Sequence, residues 1–204
     1  MQGILDSLAQ HLGGAQMDQL ARAIGADPQQ TQKAVSAALP ALLTQLNRNA
    51  NSAEGAGALA SALQRDHDGS LLDNLGGFLS GAVGGKQADG AGILGHVLGG
   101  QRTPVEEGIS RASGLDRGKV AQLLALLAPV VMAALGRQQR QAGLDPAGLS
   151  GLLGQEAQRA RREAPAGLLG ALGGFLDRDG DGDFKDDLLQ QGTAALGSLF
   201  GKKR

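Results

Sequence analysis

The sequence contains no cysteine, no tryptophan and no tyrosine, and only four of its 204 residues are phenylalanine. The absence of cysteine excludes disulfides, thiolate metal sites and cysteine nucleophiles. With so few aromatic residues, the hydrophobic core has to be built from aliphatic side chains, chiefly leucine and alanine. The net charge of −1 provides no overall attraction to nucleic acid or to an anionic membrane.

Signals for export and for membrane insertion are also missing. Residues 1–6 carry no basic region ahead of their apolar residues, unlike a secretory signal. The most apolar stretch, residues 123–136, contains Pro129 and falls short of the roughly 20 residues that a membrane span needs. We therefore expect a cytoplasmic protein without a membrane span, although a periplasmic or envelope-associated location stays open.

Catalytic patterns are absent too. His11, His67 and His96 are far apart in sequence, and none has metal-ligand spacing to another histidine. The chain lacks the motifs G-x-S-x-G, S-x-x-K and H-E-x-x-H. We expect that the protein is not an enzyme and has no small-molecule substrate.

What the sequence does contain is a long internal similarity. Gly3-Ile4-Leu5 recurs as Gly92-Ile93-Leu94, and the same spacing relates further landmarks. These landmarks pair Gly25 with Gly114, Asp27 with Asp116, Pro40 with Pro129 and Arg48 with Arg137. The pattern predicts two copies of one helical module. The predicted boundaries are 1–80 for the first copy, 81–91 for a Gly-rich linker, and 92–204 for a second copy with an insertion near 155–166.

Apolar residues at helical spacing predict an all-α, multihelical array. In the first copy we expect helices over residues 4–12, 17–24 and 56–63, and a long helix that begins after Asp27. In the second copy we expect helices over 93–98 and 146–153, and a long helix after Asp116. Pro40 and Pro129 lie inside the long helices and are expected to kink them.

Two segments of this array stand out by composition. The second long helix is apolar almost all round from residue 123 to 135, which predicts a central core helix, with a homo-oligomer contact as the less favoured alternative. Residues 76–101 are so rich in glycine that we expect a flexible linker there rather than a stable helix.

A segment rich in aspartate lies near the C-terminus and is the strongest candidate for a binding site. Asp177, Asp179 and Asp181 occupy positions 1, 3 and 5 of an EF-hand loop, and Gly182 stands at position 6, where the sharp turn needs glycine. The match then departs from the pattern, because position 12 is leucine in place of the bidentate glutamate. The loop resembles the shortened bacterial calcium-binding loops that have an acid at position 10, and on that resemblance Asp186 is the expected closing ligand. The predicted ligands of a weakly bound Ca²⁺ are Asp177, Asp179, Asp181, Asp183 and Asp186.

A different interpretation explains part of the same run. Asp183 to Asp186, and Ser70 to Asp73 in the first copy, both resemble a capping box ahead of an apolar run. In the first copy Gln64 occupies position 1, which favours the capping interpretation there. In the second copy, capping accounts for one aspartate only, so we predict a Ca²⁺ loop.

A helix-turn-helix is the alternative function. Residues 20–28, with Gly25 between two helices, have the expected pattern, yet the second helix begins with glutamines and carries Lys33 as its single early cation. Phosphate contacts need several lysines or arginines. Nucleic-acid binding is therefore disfavoured but stays open.

Three motifs carry a resemblance to a known family. They are G-I-L-D-S-L at residues 3–8, I-G-A-D at 24–27 and D-H-D-G-S-L-L-D-N-L at 66–75. With these motifs the chain resembles the bacterial YidB-like family, also called DUF937, over nearly its whole length. The resemblance implies a multihelical fold and a bacterial source, and because the function of that family is unknown it adds no mechanism. Our hypothesis is a non-enzymatic helical protein with an EF-hand-like Ca²⁺ loop, which acts through protein contacts or self-association.

Overall fold

The computed structural model of the protein describes residues 3–82 and 88–163. All regular secondary structure in these two ranges is helical, which confirms the all-α fold class. The α-helices are α1 (Ile4–His11), α2 (Ala15–Ala23), α3 (Pro28–Asn49), α4 (Ala53–Asp66), α5 (Ser70–Asp73), α6 (Leu75–Leu79), α7 (Gly90–Leu98), α8 (Arg102–Ser113), α9 (Arg117–Ala142) and α10 (Pro146–Glu163). The 3-10 turn Gly99–Gln101 joins α7 to α8.

The two longest helices, α3 and α9, begin at aspartates as predicted. The Asp27 carboxylate accepts hydrogen bonds from the backbone N–H groups of Gln29 (2.8 Å) and Gln30 (3.2 Å). The Asp116 carboxylate accepts one from the N–H of Lys119 at 3.0 Å. These bonds satisfy donors that have no partner inside a helix and so fix where each helix starts.

Helix α9 forms the centre of the molecule, as its composition predicts. Every residue from 127 to 136 is buried, including Pro129, and the helix continues through that proline. Helix α3 likewise continues through Pro40. Each proline removes one helical hydrogen bond, and the kinks expected at these two positions stay a prediction.

Helix α9 is also long and apolar enough to cross a membrane, by length and composition alone. The expectation that the chain has no membrane span considered residues 123–136 only, and it stays a prediction. In the fold, most of the apolar part of α9 is buried inside the protein. A core helix of a soluble protein has these same properties.

The hydrophobic core draws on both described ranges of the chain. Helix α1 packs mainly on α9 and then on α10, α10 packs on α3 and α4, and α7 packs on α9 and α3. The buried side chains are mostly leucine and alanine, with Phe78 among them. Within residues 3–82 and 88–163, no Leu, Ile, Val, Met or Phe side chain is exposed. Both ends of the described chain therefore contribute to one continuous core.

The expectation that the Gly-rich segment 76–101 forms no stable helix was wrong, whereas the helix expected over 93–98 is present as part of α7. Helix α6 occupies the start of this segment and α7 its second half. Asp89 caps α7 by accepting the N–H of Gly92 at 2.9 Å. A Cβ atom at Gly90 would lie only 1.7 Å from the Ala125 carbonyl oxygen of α9. Glycine therefore allows α7 to approach α9 closely, and this packing offsets its entropic cost.

Other boundaries differ from the expectation in extent. Helix α7 begins at Gly90 and not at residue 93, and α4 extends the predicted segment 56–63 at both ends. Helix α10 continues beyond residue 153 to Glu163, through the segment in which the insertion near 155–166 was predicted. The division into modules 1–80 and 92–204 stays a prediction.

Candidate functional site

The predicted Ca²⁺ ligands Asp177, Asp179, Asp181, Asp183 and Asp186 lie outside the described residues. Residues 3–82 and 88–163 themselves contain no group of three or more His, Asp or Glu side chains that could hold a metal ion. The segment most similar to the Asp-rich loop is the acidic turn at residues 66–73, between α4 and α6, and its geometry shows what such a motif does in this fold.

The acidic turn is organised around Asp68 and Gly69. The Asp68 carboxylate accepts hydrogen bonds from both the backbone N–H (3.0 Å) and the hydroxyl of Ser70. Gly69 has a φ of +89° and is the residue that precedes α5. The prediction that Ser70 caps this helix was therefore wrong, because Ser70 is its first residue and donates to Asp68. The left-handed conformation of Gly69 makes this arrangement possible.

Two arginines of α9 hold the acidic turn. Arg137 Nη2 donates to the Gly69 carbonyl oxygen at 2.9 Å and also to the Asp73 carboxylate. Arg140 Nη2 donates to the Gln64 carbonyl oxygen at 3.2 Å, and Arg140 Nη1 lies 3.8 Å from Asp68 Oδ2. Asp68 and Asp73 of this turn are thus paired with arginines of α9, and the turn serves to dock α4 and α5 on α9.

The backbone of the acidic turn approaches α9 very closely. A Cβ atom at Gly136 would lie 1.7 Å from the His67 carbonyl oxygen, and one at Gly69 would lie 2.8 Å from Arg137 Cβ. His67 is buried, and this burial lowers the pKa of its imidazole, against the opposing effect of Asp66 and Asp68. The pKa of Asp68 is also lowered, mainly because its carboxylate accepts the two hydrogen bonds from Ser70.

A second polar contact, which sequence reasoning missed, fixes α1 on α10. Arg159 donates from both terminal nitrogens to the Asp6 carboxylate, at 2.7 and 2.8 Å. The buried Glu156 accepts the backbone N–H of Leu5 at 3.1 Å. The Arg159 hydrogen bond, followed by one from the Gly3 N–H, lowers the pKa of Asp6. Asp6 has the position of an N-terminal capping residue in the sequence, but nothing in the sequence indicates its partner on α10.

The start of α9 carries the charges that bear on the helix-turn-helix alternative. Buried Glu106 pairs with Arg102 at 2.7 Å and with Arg117 at 3.7 Å. Arg117 also contacts Glu107 at 3.3 Å, and Lys119 lies 3.9 Å from its neighbour Asp116. Arg102, Arg117 and Lys119 are thus each paired with a carboxylate of the protein.

The corresponding start of α3 offers little positive charge. The exposed positions in its first turns include Gln29, Gln32 and Lys33, and Lys33 is the only cation among residues 28–36. Phosphate binding needs a contiguous basic surface. The described residues 28–36 do not provide one.

The three histidines do not share a site. His11 bonds to the Ser7 carbonyl oxygen within α1 at 2.7 Å, His67 is buried in the acidic turn, and His96 is exposed on α7. The carbonyl oxygens of His96 and Val97 accept hydrogen bonds from Asn49 Nδ2, at 3.3 and 2.9 Å, which closes the end of α7. The polar groups of the described chain therefore act mainly as docking and capping contacts.

No curated protein and no solved structure matches this chain. A family model does match it over residues 6–138, which begin inside α1 and end inside α9 and make up more than half of the chain. The resemblance expected from the three motifs is confirmed: the chain belongs to DUF937, a family of bacterial proteins of unknown function.

Proposed function

We propose that this protein is a non-enzymatic helical protein that acts through protein contacts or self-association, and that it carries a weak Ca²⁺ site in its Asp-rich loop. The observation that supports this most strongly is the use of its buried carboxylates. Glu106 pairs with two arginines, and Glu156 accepts a backbone N–H of α1. A catalytic acid lies beside a second reacting group, whereas these two carboxylates hold helices together.

The Ca²⁺ proposal is supported by a contrast between the two acidic segments. In the first-copy segment, Gln64 occupies the first ligand position, and Arg137 and Arg140 pair with Asp73 and Asp68 of the acidic turn. The Asp-rich loop has aspartate at position 1 and more carboxylates overall. A hard divalent cation prefers such a set of oxygens, and an aspartate as closing ligand predicts a dissociation constant of roughly 10⁻⁴–10⁻³ M.

We also propose that the chain is built from two copies of one module. The helices α1 to α4 and α7 to α10 follow the same order, and the longest of each set begins after an aspartate and contains one proline. Gly25 and Gly114, which precede these long helices, have φ values of +62° and +76°. The family match crosses from the first proposed copy into the second, which is consistent with both copies belonging to one folding unit.

The compartment of the protein decides whether Ca²⁺ occupies the Asp-rich loop. The composition supports a cytoplasmic location, where free Ca²⁺ would leave so weak a loop largely empty. A periplasmic or envelope location would supply the millimolar Ca²⁺ that it needs.

The experiment that tests the proposal is a calorimetric titration of the full chain with Ca²⁺ and then with Mg²⁺. We expect weak Ca²⁺ binding that is lost in the double variant Asp177→Ala, Asp181→Ala. The matched control is the double variant Asp18→Ala, Glu54→Ala, which removes the same charge from two exposed positions. At a hundredfold excess over the dissociation constant, Ca²⁺ stabilises the fold by about 2.7 kcal/mol, or roughly 5–10 °C in melting temperature. A concentration of 10 mM Ca²⁺ is about a hundred times the lower bound proposed for the dissociation constant, roughly 10⁻⁴ M. If neither binding heat nor a thermal shift is seen at this concentration, the ion site is refuted.

Sedimentation velocity of the same samples, with and without Ca²⁺, measures self-association directly. A sedimentation coefficient that rises with protein concentration supports association. A monomer at every concentration leaves contact with a different protein as the mode of action.

A further inference from the structure

We propose that two copies of this chain associate by exchanging helix α1, so that α1 of each copy occupies the groove between α9 and α10 of the other. This inference deepens the proposed self-association and rests on it. It names the partner as a second copy of the chain, the exchanged segment as α1, and the receiving surface as the groove that α1 fills in the structure.

Helix α1 docks in this groove like a separate amphipathic ligand. Its apolar residues Ile4, Leu8 and Leu12 are at most 2% exposed. Its main partners are α9 and α10, which come from the far end of the described chain. The helix thus buries its apolar face against α9 and α10, which are separated from it along the chain by α2 to α8.

The polar contacts give the docked helix a fixed direction and register. The two hydrogen bonds from Arg159 to Asp6 form a bidentate pair, and Glu156 receives the Leu5 N–H at the start of the helix. A Cβ atom at Gly3 would lie 2.6 Å from Glu156 Oε1 and 2.7 Å from Arg159 Nη1, so the residue before α1 lies directly against the two side chains that hold the helix. Another copy of the chain presents the same residues in the same order.

The connection between α1 and α2 has the properties of a hinge. It consists of Leu12, Gly13 and Gly14, and both glycines are exposed. Gly14 has φ +57° and ψ −125°, a backbone conformation that residues other than glycine rarely adopt. Nothing lies within 4 Å of the position that a Cβ atom would take there. Short hinge loops held in a special conformation favour exchange of an element between protomers.

Exchange also explains how this chain could self-associate without an apolar docking surface. No large apolar side chain is exposed in the part of the chain that the structure describes. In an exchanged dimer the contacts of α1 are the intramolecular ones, now made between two chains. No new interface is needed, and only the hinge has to change its conformation.

A charge-reversal mixture provides the first test. In the variant Asp6→Arg, and equally in Arg159→Asp, a chain presents two like charges across its own groove. Mixing the two variants restores an opposite pair at both grooves of an exchanged heterodimer. One variant is labelled with ¹⁵N, and native mass spectrometry after co-refolding counts each species. We expect the heterodimer to exceed both homodimers at least tenfold, whereas the double variant, with both changes in one chain, forms no more dimer than the unmodified protein.

The hinge provides the second test, which does not depend on the groove. Alanine at Gly14 is strained in the closed turn and unstrained once the hinge opens. A strain of this kind changes an equilibrium about tenfold per hinge, and so changes the dissociation constant of the dimer about a hundredfold. The matched control is Gly25→Ala, where φ is +62° and the Cβ position is equally unobstructed, but where the turn joins α2 to α3. Sedimentation equilibrium should show dimers of the Gly14→Ala variant at much lower concentration than those of Gly25→Ala.

The outcomes separate this inference from the broader proposal. Equal dimerisation of the two glycine variants, or a mixture without excess heterodimer, would overturn the exchange. If the unmodified chain nevertheless dimerises, self-association stands through another surface. Excess heterodimer together with the hinge effect supports the exchange of α1.

Discussion

Replacement of Gly136 by alanine tests the close contact between the acidic turn and α9. The added Cβ atom would lie 1.7 Å from the His67 carbonyl oxygen, well inside the 3.0 Å below which real contacts essentially never occur. The obstructing atom belongs to the backbone and cannot rotate away, so the turn must separate from α9 by more than about 1 Å. Overpacking of this kind costs about 1–3 kcal/mol, and occasionally more.

The separation also weakens the hydrogen bond from Arg137 to the Gly69 carbonyl oxygen. The higher helix propensity of alanine offsets up to about 1 kcal/mol of the cost. We therefore expect the free energy of unfolding to fall by about 2 kcal/mol, which lowers the melting temperature by roughly 4–8 °C for a chain of this size. The assay is thermal and urea unfolding followed by circular dichroism at 222 nm.

Gly57 provides the matched control, because it lies in α4 and nothing stands within 4 Å of its Cβ position. Alanine at Gly57 should stabilise the protein by about 0.5–1 kcal/mol through helix propensity alone. A Gly136→Ala variant that melts at or above the temperature of the unmodified chain, while Gly57→Ala is stabilised as expected, would refute the reasoning.

Other changes test the polar contacts. Arg137→Ala should lower the free energy of unfolding by about 1–2 kcal/mol in urea denaturation, because the carbonyl oxygen of the buried Gly69 loses a charged donor. Arg65→Ala, at an exposed position, should lower it by less than about 0.5 kcal/mol; equal effects would contradict a docking role. Burial lowers the pKa of His67 from 6.5, so its protonation favours the unfolded chain. Stability measured by urea midpoints should therefore fall as the pH drops below about 6.5, and His67→Gln should flatten this dependence; an unchanged slope would argue against it. The pKa of Asp6 is lowered from 3.8, mainly by Arg159, so its contribution to stability is present above that pH and is lost as the pH falls through the folded value. In Arg159→Ala, ¹³C NMR should report a higher pKa for Asp6, and an unchanged pKa would count against the contact.

The helices and their starts could be predicted because they depend on local chemistry. Asp27 and Asp116 cap the long helices through their own neighbours in sequence, and the apolar stretch in α9 is long enough to indicate burial by itself. The three family motifs were readable for the same reason.

The docking contacts could not be predicted because their partners are distant in sequence. The Arg159 pair with Asp6 and the Arg137 bond to Gly69 each join the first described range of the chain to the second. The role of glycine was misjudged for the same reason, because it also depends on residues that are distant in sequence. At Gly90 and Gly136 it permits two backbones to approach each other, whereas composition alone indicates only flexibility. Ser70 was assigned as a cap because the left-handed turn at Gly69 cannot be distinguished from an ordinary helix start by residue type.

The central claim is that residues from both ends of the chain form one core, so that the two proposed copies fold as one unit. The most direct measurement is urea unfolding followed by the ¹H NMR signals of the histidines. His67 lies in the acidic turn of the first proposed copy, and His96 lies in α7 of the second. We predict that the folded signals of His67 and His96 disappear in one transition with the same midpoint and slope. Two separate midpoints would contradict the account and indicate independent modules on a linker.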